Sequence, residues 1–201
     1  QAESFDQTVA GIRNCEAAGL YTITNTTITR ENAATIESTV HFLKELGLTS
    51  FAVNSIIHSG KAAGQDFALP DAELAALLRR VRETAEKLDL RLIWYTPTRY
   101  CRLNPMELEL GPKRCTAGQY NLCVEPDGAV LPCQSYYQSA GNILTDSWES
   151  IWNHPLMVKL RARAWVPDMC RDCEELPICG GGCPLELEDK PVCCPDALSN
   201  G

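Results

Sequence analysis

The densest chemistry in this sequence is Cys170-x2-Cys173-x5-Cys179-x3-Cys183, four thiols within fourteen residues. Packing alone gives no reason for four cysteines at such short intervals. Short spacings let backbone turns aim neighbouring sulfurs at one inorganic core, and Gly180-Gly181-Gly182 lets the chain bend closely around it. Thiolates in this arrangement suit an iron–sulfur cluster or zinc. Upstream stands Cys115-x12-Gly128-x4-Cys133, and downstream the adjacent pair Cys193-Cys194. Cys101 and Cys123 complete the sulfur-rich half, while Cys15 stands apart at a core position of a helical pattern.

Composition narrows the setting. The chain has 201 residues, 45% hydrophobic and 22% charged, the balance of a folded protein. A net charge of −8 with scattered basic residues argues against a nucleic-acid partner, because phosphate binding needs concentrated Lys and Arg. The short run Arg79, Arg80, Arg82 falls inside a helical pattern and reads as a solvated face. No apolar run approaches the ~20 residues that span a bilayer, and the first residues lack the features of a secretory signal. Eleven cysteines, an odd number clustered from Cys101 onward, favour metal ligation in a reducing, cytoplasmic compartment over a disulfide scaffold. The chain starts without Met, which suggests a beginning partway through a longer protein or after processing.

The elements that must position these thiols fall into two groups. Before residue 100, helix and strand patterns alternate. Val9, Ile12, Cys15 and Ala18 keep helical spacing up to Gly19, and the β-branched run from Leu20 to Thr29 reads as a strand. Asn32 is placed to cap a helix with Ile36, Val40, Leu43 and Leu46 on its apolar stripe. Ser50 to Ile57 is a second strand. Pro70-Asp-Ala-Glu73 opens a helix whose buried stripe runs from Leu74 to Leu88, and Arg91 to Thr96 is a third strand. Strands separated by helices imply parallel βαβ units. After Arg99, Pro, Gly and Cys become frequent. Val124 to Val130 suggests a hairpin turning at Asp127-Gly128, and Trp148 to Leu160 one more helix with Ile151, Trp152, Leu156 and Leu160 inward. The expected fold is α/β: a half barrel of three parallel strands with helices over residues 1–100, then a cysteine-rich, irregular domain over 101–201 with a β-hairpin and short helices.

The cysteine spacings together resemble the seven-cysteine pattern of the SPASM domain, which follows the catalytic barrel in a group of radical SAM enzymes. Cys115-Thr-Ala-Gly118, Pro126-Asp-Gly128, Pro132-Cys133, Gly141-Asn-Ile143 and Cys179-Gly-Gly-Gly-Cys183 carry the likeness over about residues 101–194. The resemblance implies two auxiliary [4Fe–4S] clusters with interleaved ligands. By position, Cys115, Cys133 and Cys183 would hold the first. Cys170, Cys173, Cys179 and one of Cys193 or Cys194 would hold the second, with Cys194 slightly favoured. A fourth ligand to the first cluster often comes from upstream in the family, which makes Cys101 the candidate and Cys123 its competitor. An open or substrate-bound iron is the remaining alternative. The gap from Cys183 to the closing cysteine is shorter than the family's usual one.

The helix–strand order before residue 100 resembles the later part of a radical SAM partial (β/α)6 barrel, with its fourth, fifth and sixth strands. Asn25 and Asn54, on the first two strands here, are then candidates to face S-adenosylmethionine or substrate. His58, after a strand end, is a weaker site candidate; His41 and His154 read as surface and cap residues. The C-x3-C-x2-C loop that binds the catalytic cluster in such enzymes does not occur in this sequence. The resemblance therefore implies the C-terminal portion of an enzyme, inactive alone. The whole would use S-adenosylmethionine and a third [4Fe–4S] cluster to act on a peptide, protein or cofactor precursor, with ferredoxin or flavodoxin as reductant. Two other functions fit the cysteines themselves: a zinc-binding structural module, or a stand-alone iron–sulfur electron carrier. No catalytic residue is assigned, and no Ser/His/Asp order or phosphate-binding glycine loop is present.

Overall fold

A computed structural model describes residues 2–187. The chain divides into two compact units: 1–56, 66–95 and 105–111 form one, and 57–65, 96–104 and 112–201 the other.

The first unit is built on a three-stranded parallel sheet, β1 (Thr24–Thr27), β2 (Ser50–Asn54) and β3 (Arg91–Trp94), with β2 in the centre. Three helices belong to it: α1 (Ala2–Ala17), α2 (Ile36–Glu45) and α3 (Asp71–Lys87). Phe51, Ala52 and Val53 are buried in succession, as expected of a parallel strand covered on both faces. The α3 stripe Leu74, Leu77, Leu78, Val81 and Ala85 is buried, as are Ile36, Val40 and Leu43 of α2. Each such side chain contributes about 1.5–3 kcal/mol by leaving water.

Departures from the sequence reading have local causes. The strands are shorter than their β-branched runs; β1 is Thr-Asn-Thr-Thr, polar and alternately exposed, as suits the edge of this sheet. On α1 only Ile12 reaches the core, and the exposed Phe5 ring stacks on Phe42 at 5.6 Å. Asn32 makes no capping bond. Its Oδ1 accepts from Thr29 N at 2.8 Å and its Nδ2 donates to Thr27 O at 2.8 Å, so it ties the turn after β1.

The second unit has little regular structure. A hairpin pairs β4 (Cys123–Val124) with β5 (Val130–Leu131). The expected helix at 148–160 is two, α4 (Trp148–Trp152) and α5 (Pro155–Arg161). Pro155 cannot continue a helix, and His154 Nδ1 accepts from Leu156 N at 3.2 Å to cap the new one. Short helices α6 (Asp168–Arg171), α7 (Leu176–Cys179) and α8 (Pro184–Leu187) follow. Apolar burial is divided between two small clusters. One gathers Val130, Ala140, Ile151 and Met157, the other Ala117, Tyr136 and Leu160. No helix among the described residues is long and apolar enough to cross a membrane.

Candidate metal centre

The hairpin that carries the upstream thiols is held by its turn. Gly128 has φ +87°, and a Cβ there would lie 2.5 Å from Asn142 Oδ1, so only glycine fits. Asn142 Nδ2 donates to Asp127 O at 2.8 Å, and Asn142 Oδ1 accepts from Leu144 N at 2.9 Å. This bonding gives the Asp-Gly and Gly-Asn-Ile sequences a shared purpose: they fix where the strand ending before Cys133 goes. Cys115 and Cys133 pack beside the Ala117, Tyr136 and Leu160 cluster, together with Trp165 and Leu185.

Cys183 joins these two. Burial pushes its thiol up to about 12, and the proximity of Cys115 and Cys133 adds to the rise. Cys115 and Cys133 are also raised, again chiefly by burial; Cys133 adds to the rise at Cys115, and Cys123 to that at Cys133. Cys123 lies directly across the hairpin from Leu131, two residues before Cys133. Lys113 and Arg163 partly oppose the rise at Cys115, and a metal that binds the three raised thiols must expel their protons.

Cys179 faces elsewhere. Its sulfur accepts from Tyr100 N at 3.4 Å and its thiol reaches Thr98 O at 3.8 Å. The separation from Cys183 comes from Gly180, Gly181 and Gly182, with φ of +69°, +81° and +79°. A Cβ on Gly181 would meet Val166 Cγ1 at 2.5 Å, and one on Gly182 would meet Arg99 Cγ at 3.0 Å. Three successive left-handed residues, closed in by neighbours, send the two thiols of C-x3-C to different surroundings. Cys170 is half-buried and Cys173 exposed, on and just after α6.

Cys101 is exposed, and its neighbour Tyr100 contacts Cys179. Cys193 and Cys194 lie outside the described residues. Asn25 and Asn54 fall on one sheet face by register, since Asn25 pairs with Ala52 and Thr27 with Asn54. Asn25 is exposed; Asn54 accepts from Thr27 Oγ1 at 3.3 Å and donates to Ser55 O at 2.8 Å.

The sequence reading missed Arg99. It is 3% exposed, yet its Nη1 and Nη2 are buried without a hydrogen-bond partner among the described residues. An uncompensated buried charge costs several kcal/mol even after relaxation. Arginines at the same stretch are paired: Arg114 donates to Pro177 O at 2.9 Å and Arg163 to Leu176 O at 2.8 Å. No spacing rule would have singled out Arg99 in Thr-Pro-Thr-Arg-Tyr-Cys.

Among the described residues no group of three or more His, Cys, Asp or Glu closes on a single-ion geometry. The donor chemistry nevertheless fits a thiolate-held group: buried sulfurs, a glycine bend, and a guanidinium with no anion among the described residues. Residues 115–174 match the SPASM family, an iron–sulfur cluster-binding domain. The chain thus resembles SPASM-domain radical SAM proteins. The SPASM match spans Cys115, Cys123, Cys133, Cys170 and Cys173, and stops before Cys179 and Cys183. The PqqA peptide cyclase of Xanthomonas campestris is 30% identical over 178 residues, covering 83% of this chain and 45% of that protein. The AdoMet-dependent heme synthase of Methanosarcina barkeri is 26% identical over 213 residues, covering 94% of this chain and 60% of that protein. The chain thus spans about half the length of these curated relatives. In fold it is similar to Streptococcus suis SuiB bound to the precursor peptide SuiA, with TM-score 0.71 at 19% identity over 93% of this chain and 46% of that one. Native anSMEcpe with bound AdoMet gives 0.61 at 17% identity, over 90% and 52%.

Proposed function

We propose that this chain is the C-terminal portion of a radical SAM/SPASM oxidoreductase or maturase that acts on a peptide, protein or cofactor precursor, and that it holds two auxiliary [4Fe–4S] clusters. Residues 1–100 are then the later part of the barrel and 101–201 the auxiliary-cluster domain. The observation that carries the reading is the divergence at the triple-glycine bend. Cys183 lies with Cys115 and Cys133, while Cys179 lies with the Thr98–Tyr100 segment. Interleaved ligation needs that divergence. Two similar proteins, a PqqA peptide cyclase and SuiB bound to its precursor peptide, support a peptide substrate.

In this proposal Cys115, Cys133 and Cys183 hold the first cluster, with Cys101 as its fourth ligand and Cys123, near Cys133, as the competitor. Cys170, Cys173, Cys179 and Cys194 or Cys193 hold the second. Bound clusters of this kind supply one-electron transfer, at potentials set by charge, hydrogen bonds to sulfur and solvent exposure. The chain's own part is to fix the sulfurs, to exclude water with Trp165, Leu185 and Tyr136, and to turn the array at its glycines. Asn25 and Asn54 are proposed on the S-adenosylmethionine or substrate side. Because the sequence has no C-x3-C-x2-C, S-adenosylmethionine cleavage is assigned to residues outside this chain.

The test is metal analysis after anaerobic reconstitution. About eight irons per chain, with broad absorption near ~400 nm, are expected for two four-iron clusters. One or two zinc ions with negligible iron would overturn the proposal in favour of a structural zinc module. Incubation of this chain with S-adenosylmethionine and a strong reductant should release no 5′-deoxyadenosine.

A further inference from the structure

Arg99 has no anionic partner among the described residues. Its main chain is framed by Cys179, whose sulfur takes the Tyr100 N–H at 3.4 Å and touches Thr98 O at 3.8 Å. Its side-chain stem lies against Gly182, where a Cβ would come within 3.0 Å of Arg99 Cγ and 3.2 Å of Arg99 N. From this place inside the bend the guanidinium extends into the protein, 3% exposed, with Nη1 and Nη2 both unsatisfied. Asp and Glu partners are absent for it among the described residues, although the chain carries 26 such residues against 18 Lys and Arg. Burying a cation this fully is stable only with an opposite charge close by. A four-iron core held by four thiolates is such a charge, because the thiolates outweigh the core.

We propose that the segment Thr98–Tyr100 is part of the second auxiliary site: Arg99 is its counter-charge and the Tyr100 amide a fixed hydrogen bond to the Cys179 sulfur. This rests on the two-cluster reading. Neither residue is a ligand; both set how readily that cluster accepts an electron. A positive charge fixed at close range in a low-dielectric interior stabilises the reduced, more negative state, and a donor on the ligating sulfur acts in the same direction.

The experiment is a redox titration of the cluster-loaded protein, followed by electron paramagnetic resonance, with Arg99→Met and Arg99→Lys beside the unmutated protein. Arg99→Met, at full iron content, should make reduction of one cluster at least tenfold less favourable, a fall of about 59 mV for a one-electron couple, and leave the other unmoved. Arg99→Lys should restore most of the shift, which a packing role would not. Unmoved midpoints in Arg99→Met, or equal shifts in both variants, overturn the proposal. Should Arg99→Met lose iron, the decision passes to pulsed resonance on unmutated protein labelled with nitrogen-15 arginine. A guanidinium coupling on one reduced cluster, absent in Arg99→Lys, supports the assignment; no coupling overturns it. A preparation that holds zinc and no iron sinks the two-cluster reading as well, whereas full iron with unmoved midpoints sinks this inference alone.

Discussion

The sheet-bearing unit and the cysteine-bearing unit solve the same problem with different materials. In the first, Phe51, Val53, Leu77, Leu78 and Val81 leave water together, and the apolar period of α3 and β2 specifies where each goes. In the second, burial is split between two small clusters, and regular elements are as short as the two residues of β4. Its form comes from glycines that must be glycine, from side chains such as Asn142 that bond to loops, and from thiols that lack an apolar reason to converge. A hydrophobic core is self-sufficient; a sulfur site is finished only by what it binds. The difference therefore predicts where each unit fails.

Iron removal should produce the largest effect, and an uneven one. Structural metals contribute on the order of 10 kcal/mol to small sites. Hydrogen exchange on the chelated protein should show amides around Cys115, Cys133 and Cys183 losing most of their protection, while β2 and α3 keep theirs. Equal loss in both units would break the comparison.

Leu78→Ala comes next, with the roles reversed. Leu78 is fully buried on α3, and truncation there should cost about 2–5 kcal/mol. Thermal unfolding followed by circular dichroism would read this as a lower melting temperature, with the cluster absorption at low temperature unchanged. Gly181→Ala should cost roughly 2–4 kcal/mol, from a left-handed φ of +81° combined with a Cβ 2.5 Å from Val166 Cγ1. Its signature is iron lost per chain. A variant that keeps full iron would mean the bend does not hold the two thiols apart.

How much of this could be read from sequence differs between the units for the same physical reason. Apolar period reports burial, so α3 and the centre of the sheet were legible, while the polar edge strand β1 and the lightly packed α1 were read as longer or more buried than they are. Cysteine spacing reports shared ligation, so the separation of Cys183 from Cys179 could be expected from family resemblance. The choice between Cys101 and Cys123 could not be made that way, because a spacing does not say which sulfur a turn brings near: Cys123 lies by Cys133 and the segment before Cys101 lies by Cys179. The break before Pro155 was visible in principle, in the proline itself. Arg99 had no signature, since an unpaired buried charge is a property of three dimensions.

The smallest expected effect sharpens the comparison at the sheet. Asn25 and Asn54 share a face of β1 and β2, but they are differently bonded. Asn54 holds Thr27 Oγ1 and Ser55 O, whereas Asn25 is exposed on the edge strand. If both only serve the sheet, Asn54→Ala should cost about 1 kcal/mol for the lost hydrogen bonds, and Asn25→Ala should stay within about 0.5 kcal/mol. Denaturant midpoints at constant slope would show this. The functional alternative separates the two measurements. A polar residue on the substrate face of a barrel strand contributes to binding without contributing to stability, so Asn25→Ala in the whole enzyme would then weaken S-adenosylmethionine or substrate binding at an unchanged midpoint. A shift in the Asn25→Ala midpoint as large as that of Asn54→Ala would remove the ground for treating them differently, because an exposed asparagine with no bond to lose should not stabilise the sheet.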